Sequence, residues 1–142
     1  MKLRQVLLIL IGFFSILSGY LMSKASLVGR AGMSLFYREY NFLKSWWKGA
    51  LVVFIALIIL FALQGLLQKR LPKPKTAQLI ILVFAAVGLY FTYNDFRYTL
   101  SHHLLGERFH LGVYLFWISW MLISLYYFFL PKQEVNLREP NP

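Results

Sequence analysis

The chain has 142 residues, of which 59% are hydrophobic and 14% are charged, and it carries a formal net charge of +10. It contains no cysteine, which excludes a disulfide framework, thiol–disulfide chemistry and thiolate metal sites. The basic residues fall between apolar runs, where such residues fix membrane topology and meet anionic headgroups. We therefore expect the basic residues to interact with a lipid bilayer that has anionic headgroups, and we expect no nucleic acid partner.

Four apolar runs cover residues 6–22, 50–67, 77–93 and 111–130, and none contains Asp, Glu, Lys, Arg or His. Each run is close to the ~20 residues that a helix needs to cross a ~30 Å hydrocarbon layer. The sequence therefore predicts an all-α integral membrane protein. It is one membrane domain, residues 1–142, whose four transmembrane helices form two hairpins.

The first run follows Lys2 and Arg4, as the apolar part of a signal peptide would. Because the run is longer than the roughly 7–15 residues of a signal h-region, we expect this helix to be retained. Within it, Ser15, Gly19 and Ser23 are spaced four residues apart. Small residues on one face let two helices approach closely, so these three predict a helix-packing face.

The first outer loop, residues 23–49, contains a segment whose apolar and basic side chains would separate onto two faces of a helix. Its aromatic residues include Phe36, Tyr37, Tyr40, Trp46 and Trp47. This pattern is typical of a helix that lies in the headgroup plane. It would also suit a surface that docks a partner protein, and the two interpretations do not exclude each other.

The second run contains Gln64 and Gly65, a weak polar notch near its end. The following turn, residues 68–76, holds two prolines and four basic residues, which predicts a stiff, charged connection. Basic residues are denser in the N-terminal residues, this turn and the tail, residues 131–142, than in the two outer loops. By the positive-inside rule, this density places both termini in the cytoplasm of a bacterial inner membrane.

The second outer loop, residues 94–110, contains all three histidines of the chain. If it is helical through Gly106, then His103, Glu107 and His110 share one side and could hold a divalent metal. Gly106 is also a natural helix stop, and the histidines would then contact headgroups or pair with acidic residues. His110 could instead ligate haem or bind a quinone, although a haem would need a second ligand from another subunit.

These features predict a non-catalytic accessory or structural subunit of a larger inner-membrane complex, with other membrane protein subunits as partners and no resident cofactor. The charge-free runs favour this interpretation, since ionisable groups inside a membrane usually mark a transport or redox path. One alternative is a small homo-oligomeric transporter or lipid-handling protein. Others are a redox subunit associated with a metal, haem or quinone, and an immunity-type membrane protein.

Overall fold

The computed structural model describes residues 2–24, 45–98 and 107–131, which form four helices and, within these ranges, no strand. The helices are α1 (Leu3–Ser23), α2 (Trp46–Arg70), α3 (Pro74–Tyr98) and α4 (Glu107–Phe129). Each helix is long and apolar enough to cross a membrane. This confirms the predicted all-α class with four apolar spans.

Every helix is longer than the apolar run that predicted it. The additional residues are largely polar or charged, such as Lys69 and Arg70 at the end of α2, because a helix continues past the hydrocarbon layer into the headgroup region. Residues 71–73 alone join α2 to α3, so the turn is shorter than the predicted 68–76. Pro74 begins α3, at a position where a helix does not need the missing N–H.

The short turn makes α2 and α3 antiparallel neighbours and defines two ends of the bundle. The turn end contains residues 71–73, the start of α1 and the end of α4. The loop end contains the end of α1, the start of α2, the end of α3 and the start of α4. Residues 25–44, which include most of the predicted interfacial helix, and residues 99–106 lie outside the described residues.

Helix α4 lies at the centre of the bundle, since it packs closely against both α1 and α3, which hardly touch each other. Helix α1 packs closely against both α2 and α4, while α3 packs mainly against α4. The core between them includes Ile11 of α1, Leu57 of α2 and Ile123 of α4, all essentially inaccessible. Helix α3 consequently has the largest uncovered surface.

Candidate functional site

Polar side chains concentrate inside the bundle. The buried polar residues of the described ranges are five serines, three glutamines and His110. Ser15, Ser119 and Ser124 each donate to a carbonyl one turn back on their own helix, at 2.7, 2.7 and 3.2 Å. Their hydroxyls are therefore satisfied locally. The glutamines, in contrast, reach other helices.

Gln64, Gln68 and Gln78 form what we call the glutamine cluster, toward the turn end, and they are 2%, 6% and 0% exposed. Gln64 Nε2 donates to Ser124 Oγ of α4 at 3.2 Å. Gln68 Nε2 donates to the Leu130 carbonyl at 3.1 Å, just after the end of α4. Gln78 Nε2, on α3, donates to the Gln64 carbonyl at 3.2 Å. The cluster thus ties α2 to both α3 and α4.

The Oε1 atoms of all three glutamines have no hydrogen-bond partner among the described residues, and the buried indole N–H of Trp120 has none either. The Nε2 atoms of Gln68 and Gln78 donate to backbone carbonyls, which cannot donate in return, so exchanging amide N and O would lose both bonds. A buried acceptor without a donor costs about 1–3 kcal/mol. The cluster can therefore accept hydrogen bonds from water or from a polar group. Neutral amides supply no acid, base or nucleophile.

Tyr127 of α4 adds a further polar link near the cluster. Its hydroxyl donates to the Phe61 carbonyl of α2 at 3.1 Å, and the two ring centroids are 5.3 Å apart. The Arg4 guanidinium lies 5.8 Å from the Phe61 ring centroid, within cation–π distance. A positive charge at the start of α1 therefore lies over this end of the bundle.

At the loop end, aromatic rings join α3 to α4. The buried His110 ring stacks on Phe96, with ring centroids 4.3 Å apart and an 11° angle between the planes. Phe109 meets the same Phe96 ring edge to face, at a centroid distance of 6.2 Å. His110 therefore helps to hold the end of α3 against α4.

The predicted metal site lies only partly within the described residues. His103 falls outside them, Glu107 is the first residue of α4, and His110 follows within one turn. No group of three or more His, Cys, Asp or Glu residues in the described part of the chain could hold a metal ion. The set of His103, Glu107 and His110 stays a prediction.

The residues of the predicted packing face, Ser15, Gly19 and Ser23, are all buried. Gly19 lies directly against the backbone of α2. A Cβ atom built on Gly19 would be 2.5 Å from the Trp46 carbonyl oxygen and 2.6 Å from Ala50 Cα. These distances are far below van der Waals contact, so the approach of α1 to α2 requires the absence of a side chain here.

Sequence reasoning missed Ser18, Gln68 and Gln78. Ser18 Oγ donates to the Gly112 carbonyl of α4 at 2.5 Å, a bond between residues 94 positions apart that no local pattern reveals. Gln68 carried a signal, because it lies one helical turn after Gln64 and so shares its face. Gln78 is on another helix, and no spacing pairs it with the other two.

The predicted interfacial residues divide into two groups. Phe36, Tyr37 and Tyr40 lie outside the described residues. Trp46 and Trp47 are the first two residues of α2, and each is 53% exposed. Tryptophan at a helix end is typical of the membrane interface. The role of these residues in docking a partner stays a prediction.

No protein-family model, curated protein or solved structure matches this chain. Function is therefore inferred from the glutamine cluster and from the outward surfaces of the four helices. Besides its aliphatic core, the described interior holds neutral amides, hydroxyls and aromatic rings, which suit hydrogen bonding and helix association.

Proposed function

We propose that this protein is a non-catalytic accessory subunit of a larger membrane complex and that α3 is the helix that contacts its partner. The supporting observation is a mismatch between exposure and composition. Helix α3 is the most exposed, with 11% of its most apolar 18 residues buried against 28–39% in the others, yet it is less apolar than α1 and α2. A helix surrounded mostly by lipid should be the most apolar, because polar groups are costly in hydrocarbon.

The outward side chains of α3 also differ in kind from those of α2. From Ile55 onward, the exposed large hydrophobic side chains of α2 are aliphatic, each about half exposed: Ile55, Ile59, Leu63 and Leu66. Helix α3 also exposes aliphatic side chains, Leu79, Ile80, Val83 and Val87, but it adds aromatic side chains that are each more than 60% exposed: Phe84, Tyr90, Phe91 and Tyr98. Aromatic residues are enriched at protein–protein interfaces, and a tyrosine hydroxyl in a membrane gains from a hydrogen-bond partner. The surface of α3 is thus better suited to another protein than to lipid alone.

Helix α3 is fixed at both ends, so its outward face is held in place. Gln78 ties its turn end to α2, and Phe96 stacks on His110 at its loop end. A face held in this way loses little conformational freedom when a partner helix packs on it.

The proposed orientation places both termini in the cytoplasm of a bacterial inner membrane. At the turn end, the described residues include six basic side chains and no acidic one: Lys2, Arg4, Lys69, Arg70, Lys73 and Lys75. At the loop end, the described residues include four basic residues, Lys24, Lys48, Arg97 and Arg108, and two acidic ones, Asp95 and Glu107. The positive-inside rule favours the turn end as cytoplasmic. A C-terminal reporter that functions only in the cytoplasm should be active, and an active periplasmic reporter would reverse the orientation.

Photocrosslinking in the native membrane tests the docking helix. With a photoreactive residue at Phe91, we expect one defined adduct with a second protein, which should also co-purify stoichiometrically in mild detergent. Ile59 of α2, which is 53% exposed, is the control position and should give no protein adduct. Equal crosslinking from both positions, or none from Phe91, would contradict the proposal.

A small homo-oligomeric transporter or lipid-handling protein is the second candidate, favoured by the unpartnered amide oxygens of the glutamine cluster. In this function, copies of the chain would assemble, and the cluster buried within each bundle would bond water or a passing polar group. An adduct from Phe91 with the mass of two chains would favour this candidate. Solute uptake into reconstituted vesicles that is lost in Gln64→Leu would then establish transport.

A further inference from the structure

A groove lies between the first half of α1 and the end of α4, at the turn end of the bundle. Its volume is about 330 Å³, and Leu3 and Leu10 of α1 face Leu125 and Phe129 of α4 across it. Among the described residues that line it, Tyr126 alone is polar. From Leu3 to Leu10 a helix rises about 10 Å, so the groove extends from the bundle end into the hydrocarbon region.

Two basic residues flank, in the chain, one of the residues that line this groove. Leu3, which lines it, lies between Lys2 and Arg4 in the chain, and both basic side chains are exposed. Lys69 and Arg70 at the end of α2 belong to the same end of the bundle, where the described residues include no acidic side chain. An ammonium and a guanidinium together bind phosphate through charge-assisted hydrogen bonds.

We propose that the groove binds one anionic phospholipid, with an acyl chain between α1 and α4 and the phosphate at Lys2 and Arg4. The apolar walls disfavour a water-soluble anion, because Tyr126 alone could bond a polar group there. The nearby basic residues disfavour a cationic headgroup. An acyl chain joined to a negative headgroup satisfies both parts of the site. This inference is separate from the proposed subunit role and does not depend on it.

A bound phosphate at Arg4 would also stabilise the bundle. The Arg4 guanidinium already lies over Phe61 of α2, so a lipid held there would connect α1, α2 and α4. A ligand that binds the folded state alone raises stability in proportion to the logarithm of its concentration above Kd. The unfolding temperature should therefore rise with the concentration of the anionic lipid.

The test uses the full chain purified in mild detergent, with native mass spectrometry and thermal unfolding as measurements. We expect one phosphatidylglycerol to remain per chain after a delipidating wash. Added phosphatidylglycerol should raise the unfolding temperature, whereas phosphatidylcholine and inorganic phosphate should not. Replacing Lys2→Gln and Arg4→Gln together should weaken binding by roughly 25-fold, about fivefold for each charge. The matched control, Lys73→Gln with Lys75→Gln, removes the same charge from the same end and should change binding by less than about twofold.

A second pair of variants tests the groove itself. Val6→Trp with Leu10→Trp places bulk in the groove and should abolish lipid retention, whereas Ile59→Trp on the outward face of α2 should not. If the double tryptophan variant does not fold, lipid binding by the Lys2 and Arg4 variant and by its Lys73 and Lys75 control still tests the site. Equal binding of both phospholipids, no retained lipid, or unchanged binding in the Lys2 and Arg4 variant would overturn the site. These measurements use the isolated chain, so their failure is distinguishable from failure of the crosslinking experiment.

Discussion

Helices α1 and α3 both pack closely against the central α4, yet α1 also packs closely against α2, whereas α3 touches α2 only lightly. Helix α1 places Gly19 against the α2 backbone and donates a hydrogen bond from Ser18 to the α4 backbone. Helix α3 meets α4 at Gly88, where the missing side chain leaves room for the Trp117 ring. The most apolar 18 residues are 39% buried in α1 and 11% buried in α3.

The difference shows what decides helix packing in a membrane. Burial of apolar surface gains little there, because lipid tails are as apolar as the side chains, so close backbone approach and polar bonds decide the contact. Helix α1 has small buried residues on one face over two turns: Ser15, Ser18, Gly19 and Ser23. Helix α3 has large side chains around most of its surface and packs mainly against one helix, α4. The uncovered side of α3 is consequently available to a partner.

The largest effect should follow from Gly19→Ala. The new methyl group would meet the backbone of α2, with Ala50 Cα only 2.6 Å away, and backbone cannot rotate aside as a side chain can. Overpacking of this kind costs about 1–3 kcal/mol, and we expect the upper part of this range. The loss of stability is measured as the change in the free energy of unfolding, with dodecyl sulfate as the denaturant in mixed micelles with a mild detergent.

Gly12→Ala is the matched control on the same helix. The nearest atom to a Cβ built on Gly12 belongs to Phe54, at 4.0 Å, which is ordinary contact. Alanine favours a helix over glycine by up to about 1 kcal/mol, so this variant should be neutral or slightly more stable. Equal losses at the two positions would mean that Gly19 does not mark a close approach.

A smaller loss, about 1 kcal/mol, should follow from Gly88→Ala on α3. Its Cβ would meet the Trp117 ring, including Cζ2 at 3.0 Å, but this ring is only half-buried and can turn. Helix α3 can also shift outward, since its far side is uncovered. Unfolding in the same detergent mixture gives the comparison. A loss as large as that of Gly19→Ala would show that α3 is packed as rigidly as α1.

The sequence predicts the presence of α1 and α3 better than it predicts their contacts. Their existence follows from charge-free runs of membrane length, because hydrocarbon admits no other composition. Their ends extend beyond those runs because backbone hydrogen bonding does not stop where apolar side chains stop. The small residues of α1 indicate a contact face, but the Ser18 bond to Gly112 depends on how distant helices meet. The same holds for Gln78, whose partner on α2 no local spacing identifies.

Gln78→Leu tests the polar link that fixes the turn end of α3. It removes one hydrogen bond to the Gln64 carbonyl and also removes an unpartnered buried Oε1 atom. Hydrogen bonds between membrane helices average about 0.6 kcal/mol, so the loss of unfolding free energy should be about that or less. A loss above about 2 kcal/mol would mean that the Oε1 atom is bonded in the membrane, as an ordered water inside the glutamine cluster would provide.

The smallest change in stability should follow from Phe91→Ala, under about 0.5 kcal/mol, because this ring is 65% exposed and contributes little to the bundle. The same variant should reduce co-purification of the partner by about tenfold, as expected when an aromatic side chain at an interface is truncated. Ile59→Ala on α2 should change neither quantity. Because misfolding cannot account for lost association in a chain of unchanged stability, the two measurements together separate docking from folding. If Phe91→Ala instead lowers stability without reducing association, Phe91 stabilises the bundle and α3 is not the helix that docks the partner.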